Sequence, residues 1–277
     1  MKIVERFTAS IDSVPETDYL SLHTELTEEE KLSPYYHYFL KGPAPIPAEL
    51  AATLQPGKPL DASKAFMPED MARHMLAPNI DIHLSGYCVL PNGIAFGATW
   101  ADMSEVTQEM EDYFDDNWNP EGDMFYKAWY PGAHVRHYSD AAIESIGREP
   151  EILRVSRAPS LQVMGFPEDI ASIDPDFLNV RGGNSQIMKI TDREGKEKLD
   201  ITLLHFYRRY GKGKIICSRF WMGLNIDRET GRSVHSLPFY ASVQEEVARL
   251  MCVHCATEYA TSARNIVDFW NEHHGRK

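Results

Sequence analysis

The chain has 277 residues, a formal net charge of -13, 43% hydrophobic and 25% charged residues, the composition of a globular protein with one large or two unequal domains. The acidic balance argues against nucleic acid and anionic membranes as partners, and no apolar run approaches the ~18 residues of a membrane span. Four cysteines make no disulfide framework in a chain of this length, and the N-terminus lacks the apolar core of a signal peptide, so a cytoplasmic protein with reduced thiols is expected.

Residues 1–76 are broken by prolines from Pro15 to Pro68. Short helical pieces are expected between them. One opens at Thr27, with Glu30 completing a capping box. Another is PEDMARHML from Pro68, a proline followed by two acids. Such a region buries little by itself, so it should pack on the main body or on a second subunit.

From Ile80 the pattern alternates. IDIHLSGYCVL, PNG and IAFGATW read as a hairpin turning on Asn-Gly. A helix follows, with Val106, Met110, Tyr113 and Phe114 on one stripe. FYKAWY, EILRVSR, SQIMKIT, LDITLLHFYRRY and KIICSRFWMGLNI read as strands, separated by the turn-rich DREGKEK, YGKGK and DRETGRS. On alternation Leu203, His205 and Tyr207 share one face of their strand, and Leu204, Phe206 and Arg208 the other. Either could be the inner face.

The last segment, Leu237 to His274, has no glycine and one proline, Pro238. Val243, Val247, Leu250 and Met251 repeat at helical spacing, and Ser242 with Glu245 makes a capping box. Continuing the stripe from Val247 and Met251 reaches His254 and Glu258, an imidazole and a carboxylate one turn apart. On a buried face the carboxylate needs a positive partner, and a metal ion shared with His254 would meet it. On a helix rotated by one position, both are merely solvated. Hairpin-joined strands and one long apolar-faced helix imply an α+β fold, an antiparallel sheet wrapped around the C-terminal helix and enclosing a cavity.

The other histidines supply partners. His134 follows a Pro-Gly turn, His137 lies three residues on, and Glu144 stands in AAIESIG. Two histidines and two carboxylates from three segments suit zinc, which takes nitrogen and oxygen ligands at about 2.0–2.2 Å. The candidates are His134, Glu144, His254 and Glu258, with Glu149, Glu151 and Glu168 as rival carboxylates. The CVHC pair, Cys252 and Cys255, lies mid-helix, where no helix N-terminus activates a thiol. Cys88 and Cys217 are too isolated to complete a zinc ribbon. GKGK and RGGN are too short for phosphate loops, and no G-x-S-x-G motif is present.

Four places in order, YKAWYPGAH, IESIG, LLHFYRR with SRFWMG, and HCATEY, resemble the zinc-dependent carbon–carbon hydrolases of acylphloroglucinols, which act on 2,4-diacetylphloroglucinol or phloretin. The resemblance covers about residue 80 to the end. It implies a Bet v 1-like helix-grip fold over 77–277, with residues 1–76 as a helical arm that contacts a partner in a homodimer. It implies a zinc site on His134, Glu144, His254 and Glu258, and places Tyr126 and His205 at the ring hydroxyls of a polyphenol substrate. Two positions depart from the diacetylphloroglucinol pattern: an expected asparagine is His137, and an expected pocket tyrosine is Phe220. Both losses favour a substrate with one acyl arm, such as phloretin, and the segment ERFTASIDSVPETDYLSL resembles the phloretin branch as well.

Overall fold

The computed structural model describes residues 26–118, 123–137, 141–146, 151–155, 159–190, 196–237 and 242–275. ERFTASIDSVPETDYLSL, Glu149 and Pro238 lie outside the described residues.

The N-terminal part holds α1 (Tyr36–Leu40), α2 (Ala48–Thr53) and α3 (Met71–Met75). The capping box at Thr27 forms reciprocally, Glu30 N–H to Thr27 Oγ1 and Thr27 N–H to the Glu30 carboxylate, but opens only one 3-10 turn, Glu30–Leu32. Strands β1 (Gly86–Val89) and β2 (Ala95–Met103) form the expected hairpin. Gly93 sits at φ 84°, and Asn92 Oδ1 accepts from the Ile94 N–H at 3.2 Å. The strand begins only at Gly86, because Asp81 takes the His83 and Leu84 N–H groups into a turn. Next come α4 (Gln108–Asn117), capped by Thr107, and α5 (Met124–Trp129). FYKAWY is therefore helical, not a strand. It buries Met124, Tyr126, Lys127 and Ala128, so its apolar residues go all round and alternation carried no information.

The chain continues through β3 (His134–His137), β4 (Ala141–Glu144), β5 (Glu151–Val155), α6 (Ile170–Ile173), β6 (Phe177–Ile190), β7 (Lys196–Tyr210) and β8 (Gly213–Met222). A small hairpin, β9 (Leu224–Ile226) with β10 (Ser233–His235), precedes α7 (Glu245–His274). The main sheet runs β1-β2-β8-β7-β6-β5-β4-β3, antiparallel at every pairing.

Helix α7 starts later than its sequence implies. Ser242 caps nothing; the cap residue is Gln244, without a side-chain bond. The Val243 N–H instead donates to Gly93 O at 3.0 Å, holding the chain extended against the β1–β2 turn. The buried line of α7 is Ala248, Met251, Cys252, Cys255 and Ala256, rotated from Val247 and Leu250 towards the cysteines. Gly97 permits a close approach: a Cβ there would lie 2.7 Å from Cys252 Sγ. The same helix meets Glu144 on β4 through His254, far along the sheet order from β2. One helix touching both ends of the sheet requires the sheet to curl around it.

Alternation in β7 resolves accordingly. His205 and Tyr207 face α7, where both meet Tyr259. The opposite face is covered by the N-terminal chain and the segment before β6. Arg208 binds Asp174 and the Met75 carbonyl, and Trp221 Nε1 donates to Phe66 O at 2.6 Å. Leu50, Leu54, Phe66, Met71 and Met75 join the main core, so this stretch of residues 1–76 packs on the body of its own chain. Among the described residues no helix is long and apolar enough to cross a membrane.

Candidate metal centre

His134 opens β3 and Glu144 closes β4, and the hairpin sets them directly opposite each other. A cross-strand pair in this register brings side chains within about 5 Å. Helix α7 lays His254 across them. Ligand atoms of His134, Glu144 and His254 lie within 4.8 Å of one another, the one such group of histidine, cysteine and acidic side chains among the described residues. All three are buried. Glu258, one turn beyond His254, places Oε1 3.8 Å from His134 Nε2 and keeps 20% side-chain exposure.

The imidazoles are oriented from behind. His134 Nδ1 donates to the Tyr126 carbonyl at 3.1 Å, and His254 Nδ1 to the Ser145 carbonyl at 3.3 Å. A carbonyl only accepts, so each ring carries its proton on Nδ1 and turns a lone pair at Nε2 towards the cluster. Neither Nε2 has a hydrogen-bond partner. His254 Nε2 stands 3.2 Å from Glu144 Oε2, a contact between two acceptors that needs a cation or a proton between them. Two buried, unpartnered nitrogens aimed at a carboxylate fit a divalent metal with nitrogen and oxygen preference.

Electrostatics agree. Burial lowers His134 to about 3, against the pull of Glu144. Burial pushes Glu144 up, but His254, His134 and the Tyr126 hydroxyl together hold it at about 2. Burial raises Glu258 to about 8; His254 opposes this and Glu144 reinforces it. Without a cation the site therefore keeps one carboxylate ionised and the other protonated, as crowded carboxylates do.

Tyr126 bridges the centre to its surroundings. Its hydroxyl donates to Glu144, and its ring stacks on His134 at 4.0 Å. His205 stands on β7, with its ring 5.2 Å from Tyr259. Phe220 is buried on β8, 6.3 Å from His205. His137 lies at the exposed end of β3, 5.3 Å from the Tyr126 ring. Of the rival carboxylates, Glu151 pairs with Glu144 across β4 and β5, and Glu168 is exposed before α6.

A cavity of about 500 Å³ is walled by Phe114, Trp118, Phe125, Trp129, Tyr207 and Tyr259 together with the charged Glu111, Asp115 and Arg181, and none of the candidate residues lines it; its volume is typical of small-molecule sites. Its wall is built from neighbours of the candidate residues. Trp129 meets His134 edge-on at 5.8 Å, and Tyr207 and Tyr259 flank His205. Sequence reasoning did not single out Trp129 or Tyr259. Both were within reach: each stands inside a motif that also carries a candidate ligand.

The family model described as the DAPG hydrolase PhiG domain matches residues 67–158 and 138–270. The chain is also 26% identical over 262 residues to phloretin hydrolase of Eubacterium ramulus, a match covering 85% of this chain and 89% of that protein. The matched span contains the hairpin, the strand of His205 and the helix that carries His254, and the chain belongs to the DAPG hydrolase family.

Proposed function

We propose that the protein is a zinc-dependent hydrolase cleaving the aryl–acyl carbon–carbon bond of phloretin to phloroglucinol and 3-(4-hydroxyphenyl)propionate. The observation that carries this reading is the pair of buried, unpartnered Nε2 atoms of His134 and His254 converging on Glu144. The similarity to phloretin hydrolase supports the substrate class. The curled sheet around α7 supports a Bet v 1-like reading of the fold.

Zinc held by His134, Glu144, His254 and Glu258 would supply a water of pKa about 7 and polarise an acyl oxygen. The aryl–acyl bond needs more than that, because an aryl carbanion is a very poor leaving group. A trihydroxylated ring in its keto tautomer makes the substrate a 1,3-dicarbonyl, and the departing carbon then leaves as an enolate. Water oxygen joins the acyl carbon, the ring–acyl bond breaks, and the ring carbon takes a proton. This chain must therefore hold the ring oxygens. Tyr126 already donates to Glu144, so its oxygen is left to accept from a ring hydroxyl. His205, lowered to about 4 by burial and by Arg181, is neutral at working pH and offers Nε2 to another ring oxygen. The aromatic residues of the cavity would accept the second ring. His137 and Phe220, in place of an amide and a phenol, favour a single acyl arm.

The test is incubation of the purified protein with phloretin and, separately, with 2,4-diacetylphloroglucinol, following phloroglucinol or monoacetylphloroglucinol release by chromatography. Phloretin cleavage dependent on one zinc per chain is expected. Turnover of diacetylphloroglucinol alone would move the substrate to the two-armed class, and turnover in rigorously metal-free protein would remove the zinc.

A further inference from the structure

His205 does not stand alone on the inner face of β7. Its cross-strand partner on β8 is Ser218, buried at 1% exposure, and His205 Nδ1 lies 2.8 Å from Ser218 Oγ. On the other side of that hydroxyl is Cys255 of α7, whose Sγ is 3.3 Å from Ser218 Oγ. Among the described residues these are the only hydrogen bonds of the Ser218 hydroxyl, and Nε2 of His205 has none. Three side chains from two strands and a helix thus form one chain, Cys255–Ser218–His205.

The chain can run in two directions, and they differ in what His205 shows to a ligand. In one, Cys255 S–H donates to Ser218, the Ser218 O–H donates to Nδ1, and His205 carries its proton on Nε2. In the other, Nδ1–H donates to Ser218, which donates to sulfur, and Nε2 is left as an acceptor. Sulfur is the weakest acceptor of the three groups, and imidazole nitrogen the strongest. The first direction gives the serine proton to nitrogen and leaves the thiol its one useful role, that of donor. The reverse gives it to sulfur, leaving the thiol proton without a partner.

We propose that Ser218 and Cys255 are positioning residues that fix His205 as its neutral Nε2–H tautomer, a hydrogen-bond donor to the substrate. The assignment rests on the reading of His205 as a ligand-facing group. It gives Cys255, otherwise a core residue, a part in the site. Burial already keeps the His205 ring neutral, so the tautomer is the property left to set. A donor at Nε2 stabilises negative charge on a ring oxygen as the enolate leaves; an acceptor there would oppose it.

Long-range proton–nitrogen correlation spectra of the zinc-loaded protein, labelled with ¹⁵N-histidine and with His205 assigned through His205→Gln, test this without turnover. The expected wild-type spectrum shows Nε2–H and an unprotonated Nδ1. Ser218→Ala should shift His205 towards a tautomer mixture and lower kcat about tenfold or more, with zinc content and melting temperature retained. Cys255→Ser keeps a donor but adds a competent acceptor, so it should weaken the bias and shift His205 part of the way towards the mixture expected in Ser218→Ala. Nδ1–H in the wild type, or an unchanged tautomer in Ser218→Ala, overturns the proposal. An Nε2–H tautomer in a protein that cleaves neither polyphenol upholds the positioning and removes the substrate reading instead.

Discussion

His134 and Glu144 face each other across the β3–β4 hairpin, so half of the candidate metal centre is fixed by strand register before α7 arrives. A one-residue slip of this hairpin would send one of the two to the opposite face. His254 then adds the third candidate ligand from α7. The centre therefore reports whether sheet and helix have docked. Replacing His254 or Glu258 with alanine should abolish bound zinc, read by elemental analysis as a fall from about one per chain to near zero, and activity should go with it. Zinc retained at full stoichiometry in His254→Ala would remove that residue from the ligand set.

Tyr126 should tune the metal without binding it. Its hydroxyl donates to Glu144, and its carbonyl orients His134. Tyr126→Phe removes only the first of these. Zinc affinity, measured by competition with a chromophoric chelator, should fall about 10–100-fold while the fold is retained. An unchanged affinity would make the hydroxyl a substrate contact alone.

The metal-free protein should lose stability as pH rises from about 6.5 to 8. Glu258 is raised from 4.5 to about 8, and His254 is raised by Glu144 against the opposing effect of burial. A group whose folded pKa is raised stabilises below its unfolded pKa and loses that contribution as pH climbs through the folded one. His134 and His205 are depressed to about 3 and 4, so their contribution changes only below 6.5 and leaves this window clear. Bound zinc replaces the protons, so a melting temperature that falls across the window should become flat or rise once zinc is added. A flat profile in the apo protein would show that Glu258 is ionised there.

Much of this candidate site was legible because its residues sit at positions governed by simple periods. His254 and Glu258 fall one helical turn apart, and His134 follows a Pro-Gly turn. What the sequence could not supply was rotation and length. The buried line of α7 lies at the cysteines because Gly97 lets the helix approach there, a cross-element fit that no local spacing encodes. FYKAWY is too short for alternation to distinguish a strand from a buried helix. The inner face of β7 became known only when Tyr259 was seen against His205 and Tyr207. Ser218 carried no signal at all, since a lone serine in an apolar strand gains meaning only from the residue across the ladder.

Gly97 tests the close approach itself. Its Cβ would meet Cys252 Sγ at 2.7 Å and Phe220 Cδ2 at 3.3 Å. Gly97→Val should therefore push α7 away from β2 and cost about 1–3 kcal/mol by overpacking, read as a lower urea midpoint with unchanged slope. Stability equal to wild type would mean that helix and sheet are not in contact there.

His205 separates binding from chemistry. The residue is on β7, outside the group of side chains that forms the candidate metal centre, and its Nδ1 lies 2.8 Å from Ser218 Oγ. His205→Ala should keep zinc at wild-type stoichiometry, because no candidate ligand depends on it. Turnover should fall about 10²–10⁴-fold, the span of a positioned proton donor or acceptor. The loss should appear in kcat more than in KM, since a hydrogen bond that strengthens as charge develops on the ring oxygen acts in the transition state rather than in the bound ground state. A loss confined to KM would make His205 a binding group only. Zinc lost together with turnover would place His205 in the metal centre, contrary to its contacts with Ser218 and Tyr259.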